Sequence, residues 1–242
     1  MTVLANLERL HREARRNKWI RYFAGFCRIA LALGFIPAGL VKVSGERFTA
    51  LPSNHPLGPY CDALVLTGYS YTFIGIGQLT AAVLLLVPRT ALLGAIFYFP
   101  IILNICVLTY AIRFEGTRIA TLMLLANLFL LVWDYDRLKH VLPFRRAHDD
   151  RLVLDQTSKF PVLFFACIFA AVVSVVVVNQ FLYDIRPGNS RVECTNGCSG
   201  GNPMACQLFC SCIYDDGKPL NACLDEYQKA RETDASLTIP PR

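Results

Sequence analysis

The stretch FPVLFFACIFAAVVSVVVVNQFLY (residues 160–183) decides the class of fold, because none of its 24 residues is charged. A helix needs about 20 predominantly apolar residues to cross the hydrocarbon core of a bilayer. This stretch is therefore long enough to span a membrane. It is also the most uniformly apolar part of the chain.

Four further apolar runs have the same character, and they cover residues 22–43, 70–87, 91–112 and 117–134. One such run could be a buried helix of a soluble protein, but five runs in 242 residues predict a multi-pass membrane protein. The composition agrees, since only 17% of the residues are charged and a soluble domain has about 25%. We therefore expect an all-α membrane protein, with a four-helix transmembrane bundle, a fifth transmembrane helix and a small extracytoplasmic domain rich in disulfides.

The distribution of lysine and arginine predicts the orientation of these spans. With a cytoplasmic N-terminus, the inner segments 1–21 and 135–159 and the turn at Arg89 hold thirteen basic residues, whereas the outer flanks hold four. Basic residues favour the cytoplasmic side, so we expect the N-terminus inside and the C-terminus outside the plasma membrane. The net charge of +6 then serves orientation and contact with anionic lipids, and nucleic acid is not an expected partner.

The predicted segments follow from this topology. They are a basic amphipathic leader, a four-helix membrane domain, a cytoplasmic loop, a fifth transmembrane helix and an extracytoplasmic cysteine-rich domain, at residues 1–21, 22–138, 139–159, 160–183 and 184–242.

Six of the ten cysteines lie in CTNGCSGGNPMACQLFCSCIYDDGKPLNAC (194–223). Thiols outside the cytoplasm usually oxidise, so this segment predicts a disulfide framework, although its spacings leave all 15 pairings open. Two Cys-x3-Cys spacings place sulfurs one helical turn apart, which suits cross-links between two helices. No histidine is near and the spacing matches no standard cluster, so no metal site is predicted. The cysteines concerned are Cys194, Cys198, Cys206, Cys210, Cys212 and Cys223.

Polar side chains within the spans are costly and usually face the bundle interior. Gln78, Asn104 and Asn127 lie at similar depths on three helices, which predicts one hydrogen-bonded layer. Such a layer either joins the helices or lines a cavity for a ligand such as a quinone head. Arg28 either pairs with Asp134 or extends toward the cytoplasmic headgroups, and the sequence does not separate these two readings.

Two cysteines outside the cluster are candidate catalytic residues. Cys61 lies in the predicted outer loop, and Cys106 lies just below the outer face of its span. Together they would form a dithiol that partners can reach. The alternative is that both are buried and inert, which is the commoner state of a cysteine outside disulfides.

Three segments also resemble the DoxX-like family of small bacterial membrane proteins, over about residues 22–138. They are RIALALGFIPAGLVKVSG (28–45), GQLTAAVLLLVPRTALLGAIFYFPIILNICVLTYAI (77–112) and IATLMLLANLFLLVWDYDRL (119–138). The resemblance implies a four-helix bundle and an association with membrane redox systems, including a subunit of a thiosulfate:quinone oxidoreductase. Family members often carry a glutamate where this chain has Gln78, which argues against a proton-carrying role there.

Two functional hypotheses remain. The first is an auxiliary or scaffold subunit that presents the disulfide-stapled domain to an extracytoplasmic or membrane protein partner, because no Walker loop, HExxH or GxGxxG motif is present. The second is a membrane oxidoreductase subunit that couples oxidation of extracytoplasmic thiols or sulfur compounds to membrane quinone. The sequence leaves open whether the protein is an enzyme.

Overall fold

A computed structural model describes residues 2–48, 57–114, 116–141, 158–188, 190–199 and 202–238. Within these residues the chain is helical and has no β-strand. Most of the predicted loop 139–159 lies outside the described residues, as do Met1 and residues 239–242. The α-helices are α1 (Thr2–Arg16), α2 (Lys18–Val43), α3 (Leu57–Leu66), α4 (Tyr69–Leu86), α5 (Ala91–Ala111), α6 (Thr117–Trp133), α7 (Tyr135–Val141), α8 (Val162–Leu182), α9 (Arg191–Asn196), α10 (Pro203–Tyr214) and α11 (Leu220–Thr238).

The long apolar helices lie where the sequence predicts them. Among the described residues, α2, α4, α5 and α8 are long and apolar enough to cross a membrane. The run predicted as the fourth span is α6, an apolar helix of 17 residues. At ~1.5 Å per residue α6 is about 26 Å long, slightly shorter than a hydrocarbon core of ~30 Å. The all-helical, multi-pass character is thus confirmed, and the count of five spans stays a prediction.

Helices α2, α4, α5 and α6 pack around one core. The helix α2 lies along α4, α4 packs on α5, α5 packs on α6, and α6 returns to α2. At the centre the rings of Phe35 and Tyr98 stack with centroids 3.6 Å apart, and the Tyr98 hydroxyl donates to the Leu31 carbonyl. The helix α8 packs mainly against α6, and only its Asn179 is buried. Because α8 contributes little to this core, it depends on specific polar contacts for its position.

Two helix contacts in the bundle require glycine. A Cβ atom on Gly75 of α4 would lie 2.8 Å from the Gly39 carbonyl oxygen and 3.0 Å from the Val43 nitrogen, both in α2. A Cβ atom on Gly94 of α5 would lie 2.5 Å from the Leu85 nitrogen in α4. Main-chain atoms cannot yield as a flexible side chain can. Small residues at such crossings let two backbones approach closely within a membrane.

The bundle has two ends with different neighbours. At the N-terminal end, defined by α1, α7 and the start of α8, the Asn17 side-chain amide donates to the Lys159 carbonyl at 2.7 Å. At the tail end, defined by α3 and the end of α8, the Tyr183 hydroxyl donates to the Tyr110 carbonyl at 2.7 Å. The apolar helices therefore alternate in direction, as consecutive membrane spans do.

The tail domain, residues 185–238, forms its own small core. Helix α10 packs between α9 and α11, and three disulfides hold these helices together. Ile185, in the linker after α8, is buried in this core. The cysteine-rich region and its disulfide bonds are thus as predicted. The buried apolar residues of the domain are Ile185, Ala205, Phe209, Ile213 and Tyr227.

We expect Gly75→Ala to destabilise the bundle by about 1–3 kcal/mol, because the added methyl group forces α2 and α4 apart. Gly77→Ala, on the same helix, is the matched control. Its Cβ would meet only Ile101 Cδ1 at 3.8 Å, so we expect a neutral or slightly stabilising effect. Unfolding by dodecyl sulfate in mixed micelles, followed by circular dichroism, measures both. Equal stability of the two variants would contradict the close contact.

Candidate functional site

An ion cluster closes the N-terminal end of the bundle. Arg28 Nη2 lies 3.1 Å from Asp134 Oδ2, and the Asp134 side chain is only 5% exposed. The structure therefore brings the predicted pair together. Arg15 of α1 adds a second guanidinium, 3.9 Å from Asp134 and 3.3 Å from Asp136. A buried carboxylate needs such partners, because an uncompensated buried charge is very costly.

The amphipathic helix α1 is fastened to the same place. His11 Nδ1 lies 3.6 Å from Asp136 Oδ2, and His11 Nε2 lies 3.3 Å from the Trp133 carbonyl oxygen. The Arg15 guanidinium also lies over the Trp133 ring. Sequence analysis missed His11 and Arg15 as bundle contacts. Their spacing of four residues, which places both on one face of a helix, was the available signal.

The three carboxamides of the predicted polar layer occupy different environments. Gln78 and Asn127 are fully buried, whereas Asn104 lies on the exposed side of α5. The Asn127 amide donates to the Ala95 carbonyl at 3.2 Å, which joins α6 to α5. The side-chain oxygens of Gln78 and Asn127 are buried and have no hydrogen-bond partner among the residues that the structure describes.

These two oxygens bear on whether the bundle suits a quinone. Both Gln78 Oε1 and Asn127 Oδ1 are acceptors, so a ligand there has to donate hydrogen bonds. The carbonyls of an oxidised quinone only accept hydrogen bonds, whereas the hydroxyls of a quinol donate them. The buried acceptors therefore fit the reduced form of that cofactor.

The two candidate catalytic cysteines lie near the tail end, and neither belongs to the three disulfides. Cys61 is buried in α3 and forms a small cluster with Leu57, against which Leu108 of α5 and the following Ile112 pack. The Cys106 sulfur lies 3.8 Å from the Thr121 hydroxyl of α6. Cys61 and Cys106 therefore both lie near the tail end of the bundle, but they contact different residues.

Lys42, near the end of α2, is buried beside Cys61. Its ammonium group donates to the Ala38 carbonyl at 3.0 Å and lies 4.0 Å from the centre of the Phe48 ring. Cys61 is also close enough to interact electrostatically with Lys42. The aromatic ring stabilises the ammonium group by a cation–π interaction, and the aliphatic part of the lysine side chain packs against apolar surface.

Two of the tail disulfides lie side by side. Cys194–Cys210 and Cys198–Cys206 both cross-link the segment 194–198 to α10, and the sulfurs of Cys198 and Cys210 are 3.9 Å apart. Cys212–Cys223 joins α10 to α11 instead. The sulfurs of Cys198, Cys206 and Cys210 all lie within 4.8 Å of one another. Because each belongs to a disulfide, none offers the thiolate that binds a metal.

A cavity of about 520 Å³ separates this pair of disulfides from the tail end of the bundle. Arg118 of α6 lines it, and its Nη2 donates to Gln180 at 2.7 Å. Its Nε is buried and has no hydrogen-bond partner in the part of the chain that the structure describes. Among the other lining residues, Asp184 is ion-paired with Arg231. The lining also includes Arg186, Glu193, Cys194 and Cys206.

Sequence analysis did not predict this cavity. Its walls come from α6, α8, the linker, α9, α10 and α11, so no short motif encodes it. The sequence indicates the tail cysteines, but their proximity to Arg118 depends on how the tail domain folds back on the bundle. We regard this cavity, with the two adjacent disulfides, as the candidate functional site.

We expect Asp134→Asn to lower the free energy of unfolding by about 3 kcal/mol, because it leaves two guanidinium groups facing a neutral, buried amide. Asp136→Asn is the control. Its side chain is 48% exposed, so its loss should cost about 1 kcal/mol or less. Dodecyl sulfate unfolding in mixed micelles again gives both values. If the two variants were equally stable, Asp134 would not be the centre of the cluster.

No protein-family model matches the chain, and no solved structure matches it. A protein of Bacillus subtilis (strain 168), described as uncharacterized protein YwoB, is 38% identical to it over 130 residues. That alignment covers 51% of this chain and 82% of YwoB. The chain therefore belongs to the family of the YwoB protein.

Proposed function

We propose that this protein is an auxiliary or scaffold component of the plasma membrane. In this proposal a four-helix bundle, DoxX-like over residues 22–138, and a fifth transmembrane helix hold the tail domain at the extracytoplasmic surface for a protein partner. The N-terminus is cytoplasmic, in line with the excess of basic residues in segments 1–21 and 135–159. The apolar sides of the spanning helices contact lipid.

The observation that carries the proposal is the short, fastened connection between bundle and tail domain. The Tyr183 hydroxyl binds the Tyr110 carbonyl of α5, and Ile185 is buried in the tail core. The Tyr214 hydroxyl of α10 donates to the carbonyls of Pro187 and Gly188, at 2.7 and 3.2 Å. A domain on a flexible linker would search a large volume, whereas this connection gives it a defined position.

The burial of Tyr214 supports a rigid connection. Burial, with a further contribution from the nearby Glu193 carboxylate, raises the pKa of the Tyr214 hydroxyl above its usual value. The hydroxyl therefore keeps its proton at physiological pH and continues to donate to the linker. The ion pairs Arg231–Asp184 and Arg191–Asp215 add contacts on the exposed side of the domain.

The tail domain also offers a surface for a partner. Met204 and Leu208 lie four residues apart on α10 and are 73% and 56% exposed, and Val192 of α9 is 66% exposed. Residues four apart share one face of a helix. Large apolar side chains left exposed near one another typically mark a site of interaction with a protein or a membrane.

The alternative is the oxidoreductase subunit that couples thiol oxidation to quinone. The paired disulfides of the tail, in which the sulfurs of Cys198 and Cys210 lie 3.9 Å apart, support it. Replacement of Cys61 and Cys106 by serine separates the two proposals. Loss of quinone reduction in a folded variant supports the oxidoreductase, whereas unchanged partner binding without a redox defect supports the scaffold.

To test the scaffold, we would place a photo-cross-linking amino acid at Leu208 in the full-length protein and irradiate intact cells. We expect one discrete protein adduct, because Leu208 lies on the proposed docking surface. The same residue at Gln228, exposed on α11, is the matched control and should give none. The readout is the mass of the adduct on a gel and its identity by peptide mass spectrometry. Adducts only with lipid at Leu208 would contradict the docking of a protein.

A further inference from the structure

We propose that the Cys194–Cys210 and Cys198–Cys206 disulfides form an exchange relay, and that the cavity of about 520 Å³ admits the thiol that reduces it. The substrate class is a small thiol or the cysteine side chain of a partner protein. This activity goes beyond the scaffold role and does not depend on it.

The cavity reaches both disulfides. Cys194 and Cys206 line it, and each belongs to a different disulfide. All four cysteines are buried, and the bonded partners Cys210 and Cys198 are not part of the cavity lining. A thiol in the cavity therefore meets one cysteine of each bond.

The two bonds also lie close together. The sulfurs of Cys198 and Cys210, which are not part of the cavity lining, are 3.9 Å apart. Thiol–disulfide exchange proceeds by attack of a thiolate on a disulfide sulfur, so a thiolate formed at either position already lies against its target. Cys212–Cys223 joins α10 to α11 and neither of its cysteines lines the cavity, so it acts as a structural bond.

The first step is attack by the external thiolate on the Cys206 sulfur. The Cys198–Cys206 bond breaks, a mixed disulfide forms between the external sulfur and Cys206, and Cys198 leaves as a thiolate. Arg118 lines the same cavity, and no described residue accepts a hydrogen bond from its Nε. A nearby guanidinium favours the thiolate form of a thiol, and the thiolate is the form that attacks.

The second step is internal. The Cys198 thiolate attacks the Cys210 sulfur, the Cys198–Cys210 bond forms, and Cys194 leaves as a thiolate that takes a proton from water. A second external thiol then attacks the external sulfur of the mixed disulfide and releases Cys206. In total, two external thiols become one external disulfide, one protein disulfide is reduced, and two electrons enter the protein.

The relay has a consequence that simple reduction lacks. Both new thiols, Cys194 and Cys206, belong to the cavity wall, and the surviving bond joins Cys198 to Cys210. Attack that begins at Cys194 instead gives the same surviving bond, because the Cys210 thiolate then attacks Cys198. The Cys198–Cys210 bond is thus the signature of the relay from either starting point.

The test maps disulfides in the full-length protein in detergent micelles after brief reaction with one equivalent of reduced glutathione. The reaction is stopped with acid, free thiols are alkylated with N-ethylmaleimide, and peptides are identified by mass spectrometry. We expect a Cys198–Cys210 linkage in most of the reacted protein, glutathione on one cavity cysteine, a free thiol on the other, and an intact Cys212–Cys223 bond.

The double variant Cys194→Ala/Cys210→Ala is the control, since it removes the internal acceptor. Once circular dichroism shows that it is folded, glutathione should appear on Cys206 and alkylation on Cys198.

In the wild-type protein, an alkylated Cys198 beside an intact Cys194–Cys210 bond would overturn the proposal, as would earlier reduction of Cys212–Cys223. The wild-type map decides the question even where the variant does not fold. The absence of a cross-link at Leu208 would contradict the scaffold proposal but would not change the disulfide map that tests the relay.

Discussion

The hydrogen bonds around Tyr110 determine where the tail domain lies. Only Asn179 of α8 is fully buried, and Phe164 makes its apolar contact with the bundle core near the opposite end, so apolar packing does little to fix the tail end of this helix. Its tail end is instead fastened to α5, where the Asn179 amide donates to the Tyr110 hydroxyl and the Tyr183 hydroxyl donates to the Tyr110 carbonyl. Thr121 of α6 donates to the same hydroxyl. In an apolar medium an unmade hydrogen bond is expensive, so these bonds favour one position of α8.

The cavity depends on that position. Arg118 of α6 and Gln180 of α8 are hydrogen-bonded to each other and form its wall on the bundle side. The linker carries the chain directly into the tail core at Ile185, so the pair of disulfides lies opposite this wall. One set of contacts thus positions both the surface offered to a partner and the sulfurs proposed to react.

The helices could be read from the sequence because a membrane span must be long, apolar and internally hydrogen-bonded. The depth of a residue in the membrane does not predict which side of its helix the residue faces. Asn104 is two residues from the buried Cys106, which is about 200° of rotation, so the two cannot share a face. The buried positions Tyr98, Ile102 and Cys106 define the inner side of α5, and Asn104 lies away from it. The spacing of the cysteines could not predict which of them pair either, because the pairing depends on the antiparallel docking of α9 and α10.

The distance between the bundle and the tail domain tests most directly whether the tail domain is held at a fixed position. Double electron–electron resonance in lipid nanodiscs measures it, with genetically encoded spin labels at Arg89 and at Gln228, both exposed and neither a cysteine. We predict a single narrow distance distribution for the wild-type protein and a broader one for Tyr183→Phe, which loses the bond to the Tyr110 carbonyl. A broad distribution in the wild-type protein would contradict a tail domain held at a fixed position.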